Sequence, residues 1–265
     1  MSKKVAIVTG GTSGIGRATA LALQERGYTV YELSRRAEGM PDIRHIVADI
    51  TKEETLQAAV EQVLAVEGRL DLVVNNAGFG ISGAIEFTDM QEAQRLFDTL
   101  FFGMVRMNRC VIPLMRQQGR GRIVNISSVA APVPIPFQAY YSAGKAAINA
   151  YTMALANELR PFGVTVCAVM PGDIKTGFTA ARHKIIDGDD IYQGRIGRSV
   201  QRMEHDEQTG MDPAKVGRYI AAVASREGSH HPLYATRIDY KFFVFLTKVL
   251  PARFLNWLIF QLYGK

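Results

Sequence analysis

Residues 5–26 read VAIVTGGTSGIGRATALALQER and join an apolar run to a glycine-rich turn and then to a helical pattern. The run from Lys4 to Thr9 predicts a buried strand, and residues 15–26 predict a helix. Glycines in the turn permit a tight bend and let backbone N–H groups approach a pyrophosphate closely. The start of the following helix adds unpaired donors and the positive end of its dipole. The turn therefore predicts a dinucleotide phosphate site, with the candidate contacts Gly10, Thr12, Ser13, Gly14, Ile15 and Gly16.

The rest of the chain alternates strand-like and helix-like segments. Further strands are predicted at 28–33, 44–48, 70–74, 122–126, 164–169 and 233–238. Further helices are predicted at 51–67, 88–116, 138–160 and 214–224. Near-continuous apolar strands separated by helices indicate a parallel sheet that is covered on both faces. With right-handed crossovers, this pattern predicts a doubly wound α/β sheet of the Rossmann type.

Composition narrows the class of protein. The 265 residues are expected to form one domain over 1–265, and an apolar content of 48% excludes a disordered tail or a collagen-like fibre. The net charge of +6 is spread without a Lys/Arg block, so we expect no nucleic-acid partner. Cys110 and Cys167 are far apart and read as buried apolar residues, which favours a reducing, cytoplasmic location. The first apolar run is too short for a signal peptide, and we expect no metal site.

Two segments depart from the alternating pattern. Residues 174–212 are polar and contain scattered glycines, so we expect about 175–212 to form a substrate loop or lid. Residues 241–265 are rich in Phe and Leu and are broken by Pro251, which predicts an apolar C-terminal helical segment too short to span a membrane. This segment either packs on the core, the substrate cavity or a partner subunit, or associates weakly with a membrane surface.

The end of the second strand indicates which cofactor is bound. A carboxylate there would accept hydrogen bonds from the ribose 2′-hydroxyl, whereas an arginine accommodates a 2′-phosphate. Here the expected acid position is Ser34, followed by Arg35 and Arg36, and this favours NADP(H). Glu32 is expected to point to the opposite side from Arg35. The alternative is that both arginines are merely solvated.

A tyrosine and a lysine four residues apart suggest proton chemistry. Tyr141 and Lys145 fall in a predicted helix and share one face. We expect the ammonium to lower the pKa of the phenol, so that Tyr141 can protonate a carbonyl or deprotonate an alcohol. Ser128 ends a predicted strand thirteen residues earlier and could hydrogen-bond the same oxygen.

With these residues, the chain resembles the short-chain dehydrogenase/reductase family in its standard-length branch. The resemblance runs from about Val5 to Gly177. It rests on TGxxxGxG at 9–16, NNAG at 75–78, Ser128, YxxxK at 141–145 and PGxxxT at 171–176.

The resemblance implies a role for each matching residue. Tyr141 would be the general acid/base, Lys145 would hold the nicotinamide ribose and tune the tyrosine, and Ser128 would orient the carbonyl. Further cofactor contacts are implied for Asp49 and Ile50 at the adenine, for Asn76, Ala77 and Gly78 along the groove, and for Pro171, Gly172, Ile174 and Thr176 near the nicotinamide.

One position departs from the family's pattern. Leu100 stands where the family usually has an asparagine that holds a relay water, and Asn108 is about two helical turns away, too far to replace it. Either the proton relay uses other groups or turnover is slow. A non-catalytic NADP(H)-binding sensor on the same fold therefore remains the alternative to an active oxidoreductase.

Apolar residues suggest the substrate. Those near the predicted site are Phe79, Val129, Val133, Pro134, Ile135, Phe137 and Phe178. They favour a lipophilic carbonyl or alcohol, such as a steroid, retinoid or acyl chain, unless they only seal the core or a dimer contact. The family resemblance implies a homodimer or homotetramer, and the apolar face of residues 97–115 could serve a subunit contact or face the sheet.

Overall fold

The computed structural model describes residues 3–226 and 231–265. Its strands are β1 (Val5–Thr9), β2 (Thr29–Ser34), β3 (Arg44–Val47), β4 (Leu72–Asn75), β5 (Ile81–Ser82), β6 (Gly121–Ile126), β7 (Val164–Met170), β8 (His183–Lys184) and β9 (Leu233–Ala235). Its helices are α1 (Gly14–Glu25), α2 (Glu53–Glu67), α3 (Met90–Phe97), α4 (Gly103–Gln117), α5 (Ala139–Leu159), α6 (Phe178–Ala181), α7 (Arg195–Gln208), α8 (Pro213–Ser225), α9 (Ile238–Val249) and α10 (Ala252–Ile259).

Seven strands form one parallel sheet in the order β3-β2-β1-β4-β6-β7-β9. The central strand β1 is buried at every position because helices cover both faces. One face packs against α1 and α8, and the other against α2, α4 and α5. The prediction of a doubly wound parallel sheet is confirmed. Chain order reverses between β1 and β4, and a crevice for a ligand opens at such a switch point, at the carboxyl ends of the strands.

The long helix predicted at 88–116 is interrupted. A π-helical turn at Asp98–Phe102 separates α3 from α4 and contains Leu100. The apolar face of α4 packs on the sheet through Met107, Val111 and Met115. Of the two predicted alternatives for this face, a subunit contact or the sheet, the structure shows the sheet.

The polar segment 174–212 is more regular than a loop. It contains α6, β8 and the fourteen-residue α7, which the sequence did not predict because its apolar positions are few. β8 pairs with β5 in a second small parallel sheet, and α7 packs its buried positions Ile196, Val200 and Met203 against Ala84. This folded segment therefore forms one wall above the main sheet.

The C-terminal segment is helical, as predicted, and Pro251 lies at the break between α9 and α10. Among the helices of the described residues, none is long and apolar enough to cross a membrane.

Candidate functional site

A cavity of about 1190 Å³ opens at the carboxyl ends of the central strands. All but one of the predicted site residues line it: Gly10, Thr12, Ser13, Gly14, Ile15, Ser34, Arg35, Arg36, Asp49, Ile50, Asn76, Ala77, Gly78, Ser128, Tyr141, Lys145, Pro171, Gly172, Ile174 and Thr176. Residues from five separate motifs thus meet in one groove.

The exception is Gly16, which lies beneath the groove. A Cβ atom on Gly16 would lie 2.3 Å from the carbonyl oxygen of Gly10 and 2.4 Å from the side-chain nitrogen of Asn76. Gly16 therefore has a packing role, because the helix can approach the turn only without a side chain there, and its contact with the cofactor stays a prediction.

The glycine-rich turn fits a dinucleotide phosphate. Gly10 and Gly14 have φ of +66° and +53°, which side chains other than hydrogen rarely allow. Helix α1 begins at Gly14, and its N-cap, Ser13, makes no side-chain capping hydrogen bond. Ser13, Gly14 and Ile15 line the cavity, so the N-terminal end of the helix faces it, and its unpaired backbone N–H groups would stabilise an anion there.

Thr9 holds this turn in place, a role that the sequence analysis did not assign. Its hydroxyl accepts hydrogen bonds from the backbone N–H groups of Asn76 at 3.0 Å and Ala77 at 3.1 Å. In return, the side-chain amide of Asn76 donates to the carbonyl oxygens of Thr9 and Gly10. A hydroxyl residue at the end of β1 was the available signal for this contact.

At the end of the cavity next to β2, two arginines are exposed at the rim. Arg35 and Arg36 follow β2 directly. Glu32 is fully buried, contacts His45 and is absent from the cavity wall. Burial raises the pKa of Glu32, although hydrogen bonding and charge from His45 oppose that shift. The carboxylate of Glu32 is thus withdrawn from the cavity wall.

Asp49 completes this end of the cavity. Burial opposes its ionisation, but hydrogen bonds from Thr51 and the charge of Arg35 outweigh it and lower the pKa of Asp49. The backbone N–H and the hydroxyl of Thr51 donate to Oδ1 of Asp49 at 3.0 and 2.8 Å. The carboxylate is therefore held charged and in a fixed orientation.

At the opposite end, Tyr141, Lys145 and Ser128 meet. Lys145 and Tyr141 are one turn apart on α5, and the lysine Nζ lies 5.6 Å from the centre of the tyrosine ring. The same Nζ donates a 2.7 Å hydrogen bond to the carbonyl oxygen of Ile126. Ser128 follows β6 by two residues, and its side chain forms part of the same wall.

Burial dominates the electrostatics of this group. It raises the pKa of Tyr141 to about 12, against the opposing hydrogen bond of Ser128 and the charge of Arg182. It also lowers the pKa of Lys145 to about 7. The prediction that the lysine lowers the tyrosine pKa is wrong for the protein without cofactor, because both groups are desolvated and each favours its neutral form.

Leu100 fills the space behind these residues. It is buried, and its side chain contacts the position that a Cβ on Gly78 would occupy. Asn108 lies outside the cavity wall and accepts a 2.7 Å hydrogen bond from the side chain of Asn75. The interior beside Tyr141 is therefore apolar at the position where the family has a polar amide.

The wall opposite Tyr141 combines Phe178, which was predicted on the substrate side, with the Arg182–Glu207 pair, which the sequence did not assign. Phe178 lies 5.8 Å from the Tyr141 ring, and Arg182 stacks over Phe178 at 5.6 Å. Arg182 is buried and forms an ion pair with Glu207, whose carboxylate also accepts a 2.6 Å hydrogen bond from Thr179. These partners are about 25 residues apart in the polar segment, and nothing in their spacing identifies the pair.

Asp173 and two C-terminal tyrosines extend this wall. The hydroxyl of Tyr240 donates to Oδ2 of Asp173 at 3.1 Å and accepts from its backbone N–H at 3.0 Å. Burial raises the pKa of Asp173, and the nearby Asp206 and Glu207 act in the same direction. Tyr263, two residues before Lys265, also lines the cavity.

Only part of the predicted apolar set reaches the cavity. Its wall includes Phe79, Val129, Ile135 and Phe178. Val133, Pro134 and Phe137 lie outside the wall. The Phe137 ring instead packs edge-on against Tyr192 at 5.6 Å, which corrects its assignment to the substrate side.

Several known proteins are similar to this chain in sequence or in structure. The family described as short chain dehydrogenase matches residues 4–185. A 3-ketodihydrosphingosine reductase from Bacteroides thetaiotaomicron is 38% identical over 261 residues, covering 97% of this chain and 94% of the relative. The crystal structure of a short-chain dehydrogenase from Streptomyces avermitilis superposes with a TM-score of 0.82 at 34% identity, covering 92% of each chain. A 3-ketoacyl-(acyl-carrier-protein) reductase from Brucella melitensis, solved with NADH, gives a TM-score of 0.74 at 28% identity, covering 88% of this chain and 96% of that one.

The depressed pKa of Lys145 predicts a pH dependence of stability. The unfolded chain keeps the lysine proton up to the ordinary pKa of 10.5, whereas the folded protein without nucleotide releases it at about 7. Between these values the unfolded state binds more protons, so the free energy of unfolding rises with pH by up to about 1.4 kcal/mol per unit from this group. Denaturant unfolding at about pH 8 and about pH 9 measures this rise, and Lys145→Met removes it. If the free energy of unfolding rises equally with pH in the unmodified protein and in Lys145→Met, the depressed pKa of Lys145 is contradicted.

Proposed function

The chain is an oxidoreductase of the short-chain dehydrogenase/reductase family, and on that premise we propose that it reduces a lipophilic ketone with NADPH. One observation carries the proposal. Tyr141, Lys145 and Ser128 lie at one end of a cavity whose other end has Arg35 and Arg36 at its rim. The groove between them contains the glycine-rich turn, whose backbone suits a pyrophosphate.

In this proposal the bound nucleotide supplies the hydride, and the chain supplies the proton and the orientation. Tyr141 is protonated at neutral pH, since burial holds its pKa near 12, and it donates its proton to the carbonyl oxygen as the alcohol forms. Ser128 donates a hydrogen bond to the same oxygen. Lys145 takes up a proton when an anionic group enters the groove, and its ammonium then stabilises the phenolate that Tyr141 leaves behind.

The preference for NADP(H) rests on charge. Two arginines are exposed at the rim where a 2′-phosphate would lie, and Ser34 stands at the position where NAD-binding chains carry an acid. Glu32 is buried and does not line the cavity, so the arginines are the charged groups of this segment that reach the rim. Arg35 and Arg36 are therefore proposed to hold the 2′-phosphate by charge-assisted hydrogen bonds.

The substrate wall favours a lipophilic ketone that carries a cationic group. Phe79, Val129, Ile135 and Phe178 provide apolar surface, while Asp173 and Glu207 bring carboxylates close enough to act on the Tyr141 pKa. The relative from Bacteroides thetaiotaomicron reduces 3-ketodihydrosphingosine, a long-chain ketone with an amino group on the adjacent carbon. We propose a long-chain amino ketone of this class for this chain, with Asp173 facing the ammonium.

Oxidation of NADPH tests the activity. We expect turnover of 3-ketodihydrosphingosine, and weaker turnover of a long-chain ketone of equal length without the amine. Tyr141→Phe removes the proton donor and should lower kcat by about a thousandfold, in the range that general acid catalysis provides. NADPH affinity should stay unchanged.

A matched control is Tyr140→Phe, which removes a hydroxyl from the neighbouring residue of the same helix. Its turnover should stay within about twofold of the unmodified chain. Tight NADPH binding with no turnover of any ketone would favour the alternative, a non-catalytic NADP(H)-binding sensor. The observation that supports this alternative is Leu100, an apolar residue that lines the cavity where the family has the relay asparagine.

Replacement of the rim arginines tests the cofactor preference. Arg35→Ala/Arg36→Ala should weaken NADPH binding by about a hundredfold, because it removes two charge-assisted contacts to the 2′-phosphate, and should leave NADH binding nearly unchanged. Nucleotide titration of both proteins measures the two dissociation constants. Equal losses for NADPH and NADH would refute the assignment.

A further inference from the structure

The C-terminal helices expose an unusual amount of apolar surface. Among the residues of α9, none is buried. Ile238 is 83% exposed, Phe242 59%, Phe245 55% and Val249 56%. Large apolar side chains that are exposed together mark an interaction surface.

The four side chains lie on one face of α9. Their spacings of four, three and four residues place them in a single stripe along the helix. Lys241 and Lys248 are exposed and, at 100° per residue, fall side by side along one edge of the stripe. The opposite side of α9 carries Tyr240, which is bonded to Asp173 and therefore fixes the stripe away from the cavity.

Helix α10 also exposes aromatic side chains beside a basic one. Phe254 and Trp257 stack at 5.8 Å and are both about half exposed, and Arg253 is exposed beside them. Helices α9 and α10 together carry three basic residues, Lys241, Lys248 and Arg253, and one acidic residue, Asp239. Aromatic side chains with flanking cations suit the boundary between lipid headgroups and acyl chains.

From this surface we propose that α9 and α10 dock on a bilayer that contains anionic lipid, with the stripe of α9 in the headgroup region. The positive charge of the two helices favours an anionic bilayer over a second copy of the chain. A symmetric contact with a second copy would bring the same surface against itself, and the excess of two positive charges on α9 and α10 would repel its own image. Anionic headgroups neutralise that charge, and the lysines reach them while the aromatic rings enter the acyl boundary.

Docking places the substrate end of the cavity at the membrane. Tyr263, in the last turn, lines the cavity, and Tyr240 is bonded to Asp173 in its wall. The C-terminal helical segment thus contacts the cavity wall through Tyr240 and contributes Tyr263 to it. A lipophilic substrate dissolved in the bilayer would enter from that side, although the docking proposal itself stands on the helices alone.

The single tryptophan of the chain, Trp257, reports on docking directly. The full chain is mixed with vesicles of phosphatidylcholine that contain phosphatidylglycerol, and with vesicles of phosphatidylcholine alone. We expect co-sedimentation and a blue shift of Trp257 emission with the anionic vesicles, both weakening as salt is raised. Pure phosphatidylcholine should bind at least about tenfold more weakly.

Two variants separate the contributions of charge and apolar surface. Lys241→Glu/Lys248→Glu should weaken binding to anionic vesicles by at least about tenfold, and Phe242→Ser/Phe245→Ser should abolish the blue shift. The matched control, Lys215→Glu/Arg218→Glu on the exposed side of α8, makes the same charge change elsewhere and should bind within about threefold of the unmodified chain. Unchanged NADPH binding and circular dichroism show that each variant is folded.

Three outcomes overturn the proposal. Equal losses in the two charge variants would show a general attraction of a basic protein to anionic vesicles. Absence of binding by the unmodified, folded chain would exclude docking. Absence of binding, with a dimer in light scattering that Phe242→Ser/Phe245→Ser dissociates, would assign the surface to a subunit contact.

Discussion

The proposed chemistry depends on a lysine that is held out of water beside a tyrosine. Lys145 is buried on α5, and its Nζ is bonded to the carbonyl oxygen of Ile126 at the end of β6. That bond fixes the helix face that also presents Tyr141 to the cavity. The same desolvation drives the pKa of the lysine down to about 7 and that of the tyrosine up to about 12, so near neutral pH the tyrosine is neutral and the lysine is only partly protonated. Anionic charge that enters the groove would raise the protonated fraction of Lys145, and its ammonium would then stabilise a phenolate at Tyr141.

The cavity has two halves of different origin. The proposed cofactor half is built from the carboxyl edge of the sheet, where each strand delivers its following residues to a common line. The proposed substrate half is built from the segment after β7 and from the C-terminal segment, through Asp173, Glu207 and Tyr263. Variation in the second half changes the substrate wall, and at Asp173 or Glu207 it also changes the pKa of Tyr141.

Sequence reasoning captured the first half because its signals are local. The apolar strands, the glycine-rich turn and the tyrosine–lysine spacing each lie within a few residues, and they predicted the parallel sheet and the family correctly. The interruption at Asp98–Phe102 escaped prediction because a π-helical turn keeps the composition of a helix. The Arg182–Glu207 pair escaped because it depends on the packing of α6 and α7. The direction of the Tyr141 pKa was wrong because burial is a property of the whole fold.

The most direct test is a spectroscopic titration of Tyr141 with and without NADP+. Difference spectra between the unmodified chain and Tyr141→Phe isolate the tyrosinate band of this residue from the other nine tyrosines. Without nucleotide, no band from Tyr141 should develop by about pH 10; with NADP+, it should develop below about pH 9, because the ammonium of Lys145 and the positive nicotinamide both favour the phenolate. A titration midpoint that NADP+ leaves unmoved would contradict the account.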